Sequence, residues 1–462
     1  MRILLTAHQF FPEFGAGTEV LTLSVARELG ARGHEVRVLA GHPSEAILPD
    51  SRRTDEYIFE GIHVYRFHHG YMPMGGQTSM IEIGFDNRLA AAYFSKILGS
   101  FRPDLVHFFH FNRLGTGTIS RANELRVPAF FTPTDFWTIC PTGQLLNGDG
   151  SACSGPSLGA GNCILHFAGN ELGGRLGKMI WRLPKAAGRL LGQFARMRAV
   201  SRLGLAREVT ALSARLDLSV RRLNRLNAIV APNREIQQLM LRFGVRPERL
   251  MVVPYGVDVG GLNSGSQRRW PSAPIRLGFI GTLGHHKGCH VLLEAFRTLP
   301  RGQATLKVFG SERDFPEYAA RLRGLADGVS GVEFCGTFPN EAIGAILHDL
   351  DALVVPSVWT ENTPLVVYSA QAARCPVIGS DVPGIAAAVR DNVDGIIFEA
   401  GNAAALASVL LRASAEPELL ARLSAACEAP KSIGTYVDEL TQIWEERHSW
   451  RADECSGMAG PT

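Results

Sequence analysis

The chain has 462 residues, of which 46% are hydrophobic and 20% charged, and its formal net charge is +3. These values are typical of a soluble globular protein with two or three domains, and a charge so close to zero gives no reason to expect nucleic-acid binding. No stretch reaches the roughly 18 uninterrupted apolar residues of a spanning helix. Eight cysteines in so long a chain do not form a secreted disulfide framework, so we expect reduced thiols.

Residues 1–262 are predicted to form a Rossmann-like domain. A buried strand, "RILLTA", precedes the glycine loop "FGAGTE", a helical pattern over residues 18–32 and a second strand, "HEVRVLA". This βαβ unit places a glycine loop at the carboxyl end of its first strand, where doubly wound sheets bind ligands. Further parallel strands are predicted from the apolar runs at residues 103–110, 128–137, 228–233 and 250–258.

Residues 172–228 form a predicted helical insertion that is strongly basic. Against two acids, Glu208 and Asp217, it has thirteen cations: Arg175, Lys178, Arg182, Lys185, Arg189, Arg196, Arg198, Arg202, Arg207, Arg215, Arg221, Arg222 and Arg225. Leucines, Met179, Trp181 and Phe194 are interleaved at near-helical spacing. A solvated helical surface explains this pattern, and so does an amphipathic segment that lies on anionic lipid. A nucleic-acid contact is a third interpretation.

A second domain is predicted over residues 275–434. Residues 263–274, "NSGSQRRWPSAP", are polar and flanked by proline, which is typical of a linker. Short apolar runs then alternate with helical stretches, which predicts another parallel sheet wrapped in helices. The expected fold class is therefore α/β, with two doubly wound domains facing a cleft. Residues 435–450 predict a C-terminal helix that packs back, and residues 451–462 a frayed tail.

Two charged residues of the second domain follow predicted strands. In "FIGTLGHHKGCHVLLEAF", Lys287 lies between a glycine loop and a helix, where it either reaches a phosphate or is simply solvated. In "WTENTPLVVYSAQAARCPVIGSDVPG", Thr363 is expected to cap a helix that starts at Pro364 and ends near Ala373. Because a helix N-terminus attracts anions, Glu361 beside it either assists the cap or meets a hydroxyl-bearing ligand.

The order and spacing of six segments resemble the retaining glycosyltransferases of family 4, which have the GT-B fold. They are "FGAGTEVLTLSVARELGARGHEVRVLA", "RLMVVPYGVD", Lys287-Gly288, Glu361 with its helix, "PVIGSDVPG" and "AAAVRDNVDGIIFEAGNAAALASVL". The resemblance covers nearly the whole chain. It implies transfer of a hexose-type sugar from a nucleotide diphosphate sugar to a hydroxyl of a glycan, lipid-linked or small acceptor, as in polysaccharide and cell-envelope biosynthesis. It implies no metal and no cofactor besides the donor.

The family pattern also implies a role for individual residues. Lys287 would bind the donor diphosphate and stabilise the leaving nucleotide, and Glu361 would bond hydroxyls of the donor sugar. Cleavage of the sugar–phosphate bond develops negative charge on the leaving phosphate and positive charge on the sugar. Fixed hydrogen-bond donors at the phosphate and a carboxylate near the sugar would stabilise these charges. The donor-binding set is Gly281, Thr282, Lys287, Glu361, Thr363, Leu365, Val366 and Ser369, and the acceptor-side set is Gly17, Thr134 and Asp135.

Two donor-site positions depart from the family pattern. Ser369 stands where the family has a second glutamate, which bonds the nucleotide ribose. A hydroxyl there loses charge assistance, at a cost of about 1 to 2 kcal/mol of donor affinity. Thr282 stands where many relatives have an arginine, so either Lys287 works alone or His285 and His286 share its task.

Further departures lie outside the donor set. Thr134 replaces the family's histidine ahead of Asp135, and Ala387 replaces an acid of the closing segment. The alternative to an active enzyme is therefore a catalytically weakened nucleotide-sugar-binding protein of the same fold. A dinucleotide-dependent oxidoreductase is disfavoured, because "FGAGTE" is not G-x-G-x-x-G and "VRVLAGHPSE" lacks a ribose-binding acid at the end of its strand.

One cysteine cluster stands out in the first domain. Cys140, Cys153, Cys163 and His166 have the spacing C-x12-C-x9-C-x2-H, which would suit a structural zinc site. Buried free thiols with a surface histidine are the alternative, because only the last pair has short, zinc-like spacing.

The expected partners are a nucleotide-sugar donor and a glycan or lipid-linked acceptor, with no nucleic acid. If the basic insertion docks on lipid, an anionic membrane surface is a further partner. We therefore expect a cytoplasmic protein, which would be peripheral on the cytosolic face of the inner membrane if the insertion docks there.

Overall fold

The structure is a computed structural model that describes residues 1–197, 204–258 and 274–448. The chain divides into two compact units, Met1–Pro254 together with the chain from Val437 on, and Tyr255–Tyr436. Three predicted features lie outside the described residues: the linker up to residue 273, the cations Arg198 and Arg202, and the tail 451–462.

The sheet of the first unit has eight strands. They are β1 Arg2–Ala7, β2 Glu35–Pro43, β3 Thr54–Phe59, β4 Ile62–His69, β5 Leu105–Phe108, β6 Ala129–Phe131, β7 Ala228–Ala231 and β8 Leu250–Val252. Their order is β3-β4-β2-β1-β5-β6-β7-β8. All neighbours are parallel except β3 and β4, which pair antiparallel at one edge. The central strands β1 and β5 are buried, as apolar strands covered on both faces should be.

Helices connect these strands. They are α1 Gly17–Ala31, α2 Met80–Phe85, α3 Arg88–Phe101, α4 Gly117–Glu124, α5 Gly161–Leu172, α6 Gly174–Trp181, α7 Lys185–Ala195, α8 Gly204–Leu223 and α9 Arg234–Arg242. Side-chain caps fix several starts: Asn87 accepts a hydrogen bond from the N–H of Ala90 at α3, and Asn233 accepts one from that of Ile236 at α9. The crossover between β6 and β7 contains α5 to α8, which include the basic insertion.

The second unit has a fully parallel sheet of six strands. They are β9 Ile275–Ile280, β10 Ala304–Phe309, β11 Val332–Gly336, β12 Ala352–Val355, β13 Val377–Ser380 and β14 Gly395–Phe398. Their order is β11-β10-β9-β12-β13-β14, so the chain reverses direction across the sheet between β9 and β12. Such a switch point is where open α/β sheets bind ligands.

The helices of this unit pack on the sheet, and a last helix ends the described chain. They are α10 Cys289–Phe296, α11 Pro316–Ala326, α12 Ile343–Asp349, α13 Leu365–Ala372, α14 Pro383–Ala386, α15 Ala403–Ala415, α16 Pro417–Ala426 and α17 Ile433–Arg447. Trp444 of α17 is buried in the first unit, where its indole N–H donates to Nδ1 of His107 on β5 at 3.1 Å. No described helix is long and apolar enough to cross a membrane.

Both predicted α/β series are present in the structure. The antiparallel hairpin of β3 and β4 was not predicted, because the sequence analysis assigned no element between the second strand and residue 103. The second unit starts at Tyr255 because Val257 forms a parallel bridge with Ser432 and donates its N–H to Lys431 O at 3.0 Å.

Candidate functional site

Lys287 ends a single 3₁₀ turn, His285–Lys287, between β9 and α10. Gly288 follows it with a φ of +71°, and a Cβ atom on Gly288 would overlap the carbonyl oxygen of Pro356. Only glycine allows this left-handed conformation at such close range. The N–H of Val358 donates to His286 O at 2.9 Å and ties the turn to the loop after β12. The sequence Lys287-Gly288 therefore fixes the lysine against the end of the neighbouring strand.

Glu361 lies in the loop after β12 and is only 5% exposed. Its Oε1 atom accepts hydrogen bonds from Lys287 Nζ at 2.7 Å, Ser357 Oγ at 2.6 Å and Trp359 Nε1 at 2.7 Å. The lysine Nζ also lies 5.1 Å from the centre of the Trp359 ring. No described residue donates to Oε2 of Glu361. One oxygen is thus saturated by the protein, and the other remains available to a ligand.

The carboxyl group of Glu361 is ionised at neutral pH. Burial alone would raise the pKa of Glu361, but the Lys287 ammonium and the hydrogen bonds from Lys287, Ser357 and Trp359 outweigh it and lower that pKa. Burial, together with the positive charge of Lys287, lowers the pKa of His286 to about 4. His286, which packs edge-on against Trp359, is therefore neutral, and the charged groups at this point are Lys287 and Glu361.

The helix α13 begins directly after this loop. The predicted cap was wrong: Pro364 occupies the N-cap position, and the Thr363 hydroxyl donates to Asn362 O at 2.8 Å instead of accepting from the helix. The ring of Pro364 fixes the entry of the chain without a side-chain cap. In the described chain, the N–H groups of Leu365 and Val366 have no acceptor. These two N–H groups remain available for an anion beside the ion pair.

The loop that carries Glu361 is held from two sides. Asn362 donates through Nδ2 to the hydroxyl of Tyr255 at 3.0 Å. Gly384 lies so close that a Cβ atom on it would overlap the carbonyl oxygens of Glu361 and Asn362. Ser380 Oγ donates to Ser357 O at 2.6 Å and fixes the residue that bonds Glu361. The segment "PVIGSDVPG" therefore supports the carboxylate from behind.

The other predicted donor-site residues lie around the same strand ends. Gly281 and Thr282 follow β9 directly and are half-buried. Ser369, one turn into α13, is 8% exposed, and its hydroxyl donates to Leu365 O at 3.1 Å. The structure thus brings Lys287 and Glu361 into contact, whereas the Ser369 hydroxyl is bonded within its own helix.

The predicted acceptor-side residues lie in the first unit. Thr134 and Asp135 follow β6, and Gly17 is the exposed first residue of α1. Thr18 Oγ1 donates to Thr134 Oγ1 at 2.8 Å, and Thr134 Oγ1 donates to Phe109 O at 3.0 Å. Thr134 is therefore part of a hydrogen-bonded chain between the start of α1 and the end of β5.

A residue that the sequence analysis missed pairs with Asp135. His110, at the end of β5, places Nε2 2.9 Å from Asp135 Oδ2, and its Nδ1 accepts from the N–H of Asn112 at 2.9 Å. A backbone N–H can only donate, so Nδ1 is unprotonated and Nε2 is the donor to Asp135. A histidine is therefore present beside Asp135 although residue 134 is threonine. The only sequence indication was the position of His110 at a strand end.

A second missed pair lies next to His110. The rings of His8 and His110 are 4.3 Å apart, and His8 Nε2 lies 3.5 Å from Oε1 of the fully buried Glu19. Burial raises the pKa of Glu19 to about 7 and, together with the neighbouring His110 and Arg113, lowers that of His8 well below its usual value. Glu19 Oε2 accepts the N–H of Ala16 at 2.8 Å.

The cysteine cluster is assembled, although not as a metal centre. Cys140, Cys153, Cys163 and His166 line one cavity of about 10 Å³. Among the described residues, no group of three or more His, Cys, Asp or Glu side chains is arranged to hold a metal ion. All three thiols are free, and burial, together with the neighbouring Cys140 and Cys153, raises the pKa of Cys163 to about 12. This geometry favours the free-thiol alternative.

Two sequence families match the chain. "Glycosyl transferases group 1" matches residues 265–429, and "Glycosyl transferase 4-like domain" matches residues 16–160. The first match contains Lys287 and Glu361, and the second contains Thr134 and Asp135. Each match thus covers one of the two sites described above.

Curated relatives match over shorter stretches. A D-inositol 3-phosphate glycosyltransferase from Nocardiopsis dassonvillei is 30% identical over 252 residues, which are 49% of this chain and 57% of the relative. The amylovoran biosynthesis glycosyltransferase AmsK from Erwinia amylovora is 29% identical over 199 residues, which are 41% of this chain and 48% of the relative. The match spans about half the length of these relatives.

Solved structures match over almost the whole chain. HepE from Anabaena, in complex with UDP and glucose, has a TM-score of 0.60 at 16% identity and covers 96% of this chain and 99% of its own. The trehalose-6-phosphate synthase OtsA has a TM-score of 0.62 at 11% identity, with coverage of 96% and 99%. At these identities the similarity concerns the fold alone, and it confirms the predicted GT-B fold class.

Proposed function

Because the chain belongs to the family 4-like glycosyltransferases with the GT-B fold, we propose that it is a retaining hexosyltransferase. It takes the sugar from a nucleotide diphosphate sugar and transfers it to a hydroxyl of a glycan, a lipid-linked or a small acceptor. By its name, one relative described above is a glycosyltransferase for D-inositol 3-phosphate, and the other is a glycosyltransferase of amylovoran biosynthesis. These names support the same broad role for this chain.

The contact between Lys287 and Glu361 carries this proposal. A buried carboxylate such as Glu361 is costly to maintain unless its charge is paired and hydrogen-bonded. Here the lysine has one carboxylate partner and an aromatic face, and the carboxylate keeps Oε2 unbonded by any described residue. The pair lies beside two N–H groups of α13 that have no acceptor in the described chain. Cation, carboxylate and helix N-terminus together match a ligand that combines a diphosphate with sugar hydroxyls.

In the proposed reaction, the bond between the anomeric carbon and the diphosphate oxygen breaks. The electron pair stays on that oxygen, where Lys287 and the N–H groups of Leu365 and Val366 stabilise the developing charge. Oε2 of Glu361 accepts a hydrogen bond from a hydroxyl of the transferred sugar. The acceptor oxygen bonds the anomeric carbon on the same face, and its proton leaves on the departing diphosphate. We propose that no metal ion is needed because Lys287 and the helix N-terminus already supply positive charge.

Uridine diphosphate glucose is the first donor to try. HepE, which has a similar fold, is described in complex with UDP and glucose, and that observation belongs to HepE alone. It supports a nucleotide-sugar donor here, because a common fold leaves the nucleotide at the same strand ends. The acceptor side is proposed to lie at Thr134 and Asp135 of the first unit, with His110 holding Asp135.

The proposed compartment is the cytoplasm. All seven cysteines within the described ranges are free thiols, among them Cys335, which is only half-buried. Thiols in this state persist where the environment is reducing. The proposed donor site requires nucleotide sugars, and we expect them in this compartment.

Transfer and donor hydrolysis should be measured with a panel of UDP-, GDP- and ADP-sugars, in the presence and absence of a chelator. The proposal predicts turnover with at least one donor, retention of the anomeric configuration by NMR, and no loss on chelation. Nucleotide binding with no turnover of any donor would favour the weakened binding protein instead. Ser369 is the residue that supports this alternative, because no acid occupies that position and the serine hydroxyl donates to Leu365 O.

A further inference from the structure

The helices α6 and α7 each bury a glycine against α5 and expose most of their large apolar side chains. The buried residue of α6 is Gly177, and those of α7 are Gly188, Gly192 and Ala195. A Cβ atom on Gly188 would overlap the carbonyl oxygen of Gly161, and one on Gly177 would overlap that of Gly169. The three helices therefore touch backbone to backbone. Packing through small residues is typical of helices that do not rely on water to drive their large side chains inward.

The outward faces of these helices form what we name the basic apolar face, residues 172–197. Eight large apolar side chains within it are between 43% and 65% exposed, out of eighteen such exposed side chains in the described ranges. This concentration matters because soluble monomers rarely expose a contiguous apolar patch without a partner. The eight are Leu172, Leu176, Met179, Leu183, Leu190, Leu191, Phe194 and Met197.

The same face is uniformly basic. It has six exposed cations and no acid: Arg175, Lys178, Arg182, Lys185, Arg189 and Arg196. None of the six forms a salt bridge with a described residue, and Arg196 donates to Ser213 Oγ at 2.9 Å. The cations of α8 differ, because Arg215 is buried against Trp137 O and Arg222 pairs with Asp86 at 2.8 Å. The described cations of α6 and α7 are therefore exposed and available to a partner, whereas these two cations of α8 are not.

Trp181 does not belong to the exposed set, although its spacing in the sequence suggested that it did. Its indole lies where Cβ atoms of Gly148 and Gly169 would be, and its N–H donates to His166 O at 3.2 Å. The tryptophan anchors α6 to α5. The apolar character of the outer face thus comes from leucine, methionine and phenylalanine.

We propose that the basic apolar face docks on the surface of an anionic phospholipid bilayer. Apolar side chains flanked by Arg and Lys match a membrane interface. The apolar side chains enter the boundary of the acyl chains, and the Arg and Lys side chains contact lipid phosphates. A second copy of the chain fits less well, because it would bring six cations against six. A nucleic acid would leave the leucines in water. The inference is independent of the donor site and goes beyond the proposed function.

Co-sedimentation of the full chain with vesicles tests the proposal. The vesicles are phosphatidylcholine alone or phosphatidylcholine with phosphatidylglycerol. The charge variant is Arg182→Gln with Lys185→Gln and Arg189→Gln, and its control neutralises three exposed cations elsewhere, Lys96, Arg301 and Arg313. The apolar variant is Leu190→Ser with Leu191→Ser, and its control is Leu125→Ser with Leu411→Ser, which are exposed outside the face.

We expect binding to the phosphatidylglycerol vesicles only, weakened about a hundredfold in the charge variant, since each cation near an anionic surface contributes about fivefold. The apolar variant should also lose binding, and both controls should bind as the wild type does. UDP affinity and the melting temperature should be unchanged in every variant, which separates this test from a failure of folding or of the donor site. Equal binding to both vesicle types, no binding to either, or a dimer in light scattering that the apolar variant dissociates would overturn the proposal.

Discussion

Lys287 Nζ and Glu361 Oε1 lie 2.7 Å apart although 74 residues separate them in the chain. The contact arises because β9 and β12 are neighbours in the sheet, so the loops after their carboxyl ends meet. Gly288 lets the lysine turn approach Pro356, and Gly384 lets the segment after β13 support the glutamate loop. Two glycines and one strand crossover thus place a cation and a carboxylate beside the start of α13.

Glu361→Gln should lower kcat by about a hundredfold, the loss typical of removing one electrostatic contact to a transition state. The amide keeps the size of the side chain but loses the charge that faces the sugar. The measurement is steady-state transfer with the best donor. Asp349→Asn removes a carboxylate from an exposed pair with Lys307 in the same unit and should leave kcat unchanged. Equal rates for Glu361→Gln and the wild type would exclude a role for this carboxylate.

Ser369→Glu should tighten UDP binding about five- to thirtyfold, since a charged acceptor for the ribose hydroxyls contributes about 1 to 2 kcal/mol more than a neutral one. Isothermal titration with UDP measures the change. Ser369→Ala is the control, because the hydroxyl is bonded to Leu365 O and its removal should alter UDP affinity little. A lower affinity of Ser369→Glu for UDP, with an unchanged melting temperature, would mean that residue 369 does not face the ribose.

Glu19→Gln should remove a pH dependence of stability. Burial raises the pKa of Glu19 from 4.5 to about 7, so between these values the folded chain holds a proton that the unfolded chain has lost. The stability that this group contributes is complete below about pH 4.5 and falls by about 3 kcal/mol as the pH rises through 7. Urea unfolding across this pH range should show the free energy of unfolding of Glu19→Gln rising relative to that of the wild type as the pH rises. The free energy of unfolding of the control Glu45→Gln, at an exposed residue, should depend on pH as that of the wild type does. The same pH dependence in Glu19→Gln as in the wild type would refute the shift.

His110→Ala should lower kcat by up to about a hundredfold while UDP affinity stays the same. The imidazole holds Asp135 through Nε2, and a small displacement of a positioned group has a cost of this size. Transfer kinetics and UDP titration together check the prediction. His63→Ala breaks an exposed pair with Glu56 in the same unit and serves as the control. A loss of UDP affinity equal to the loss of kcat would show instead that the variant has damaged the fold.

The fold was largely predictable because apolar runs of strand length alternate with helical patterns in both halves. The helix start after Glu361 was predicted to within one residue, whereas the cap was not. Local preference favours Thr363 as a cap, but the proline that follows it already fixes the chain, and the threonine hydroxyl turns to Asn362 O. Capping preferences act within one turn, so a neighbouring proline can override them.

The missed residues depend on contacts between distant parts of the chain. Asp135 was identified, but its partner His110 follows the preceding strand, 25 residues earlier, and no local pattern joins the two. The exposure of Leu190 and Leu191 was equally hidden, because helical spacing alone does not tell which face is buried. Gly188 and Gly161 decide it, since backbone contact between their helices turns the leucines outward.

The most direct test of the proposed donor site is transfer by Lys287→Ala compared with Lys307→Ala, each of which removes a lysine that pairs with an acid in the second unit. We expect Lys287→Ala to lose at least about a hundredfold in kcat, because the variant leaves only the partial charge of the helix N-terminus to stabilise the leaving diphosphate. Lys307→Ala should transfer sugar at the wild-type rate. Unchanged transfer by Lys287→Ala, with a melting temperature equal to that of the wild type, would contradict the account.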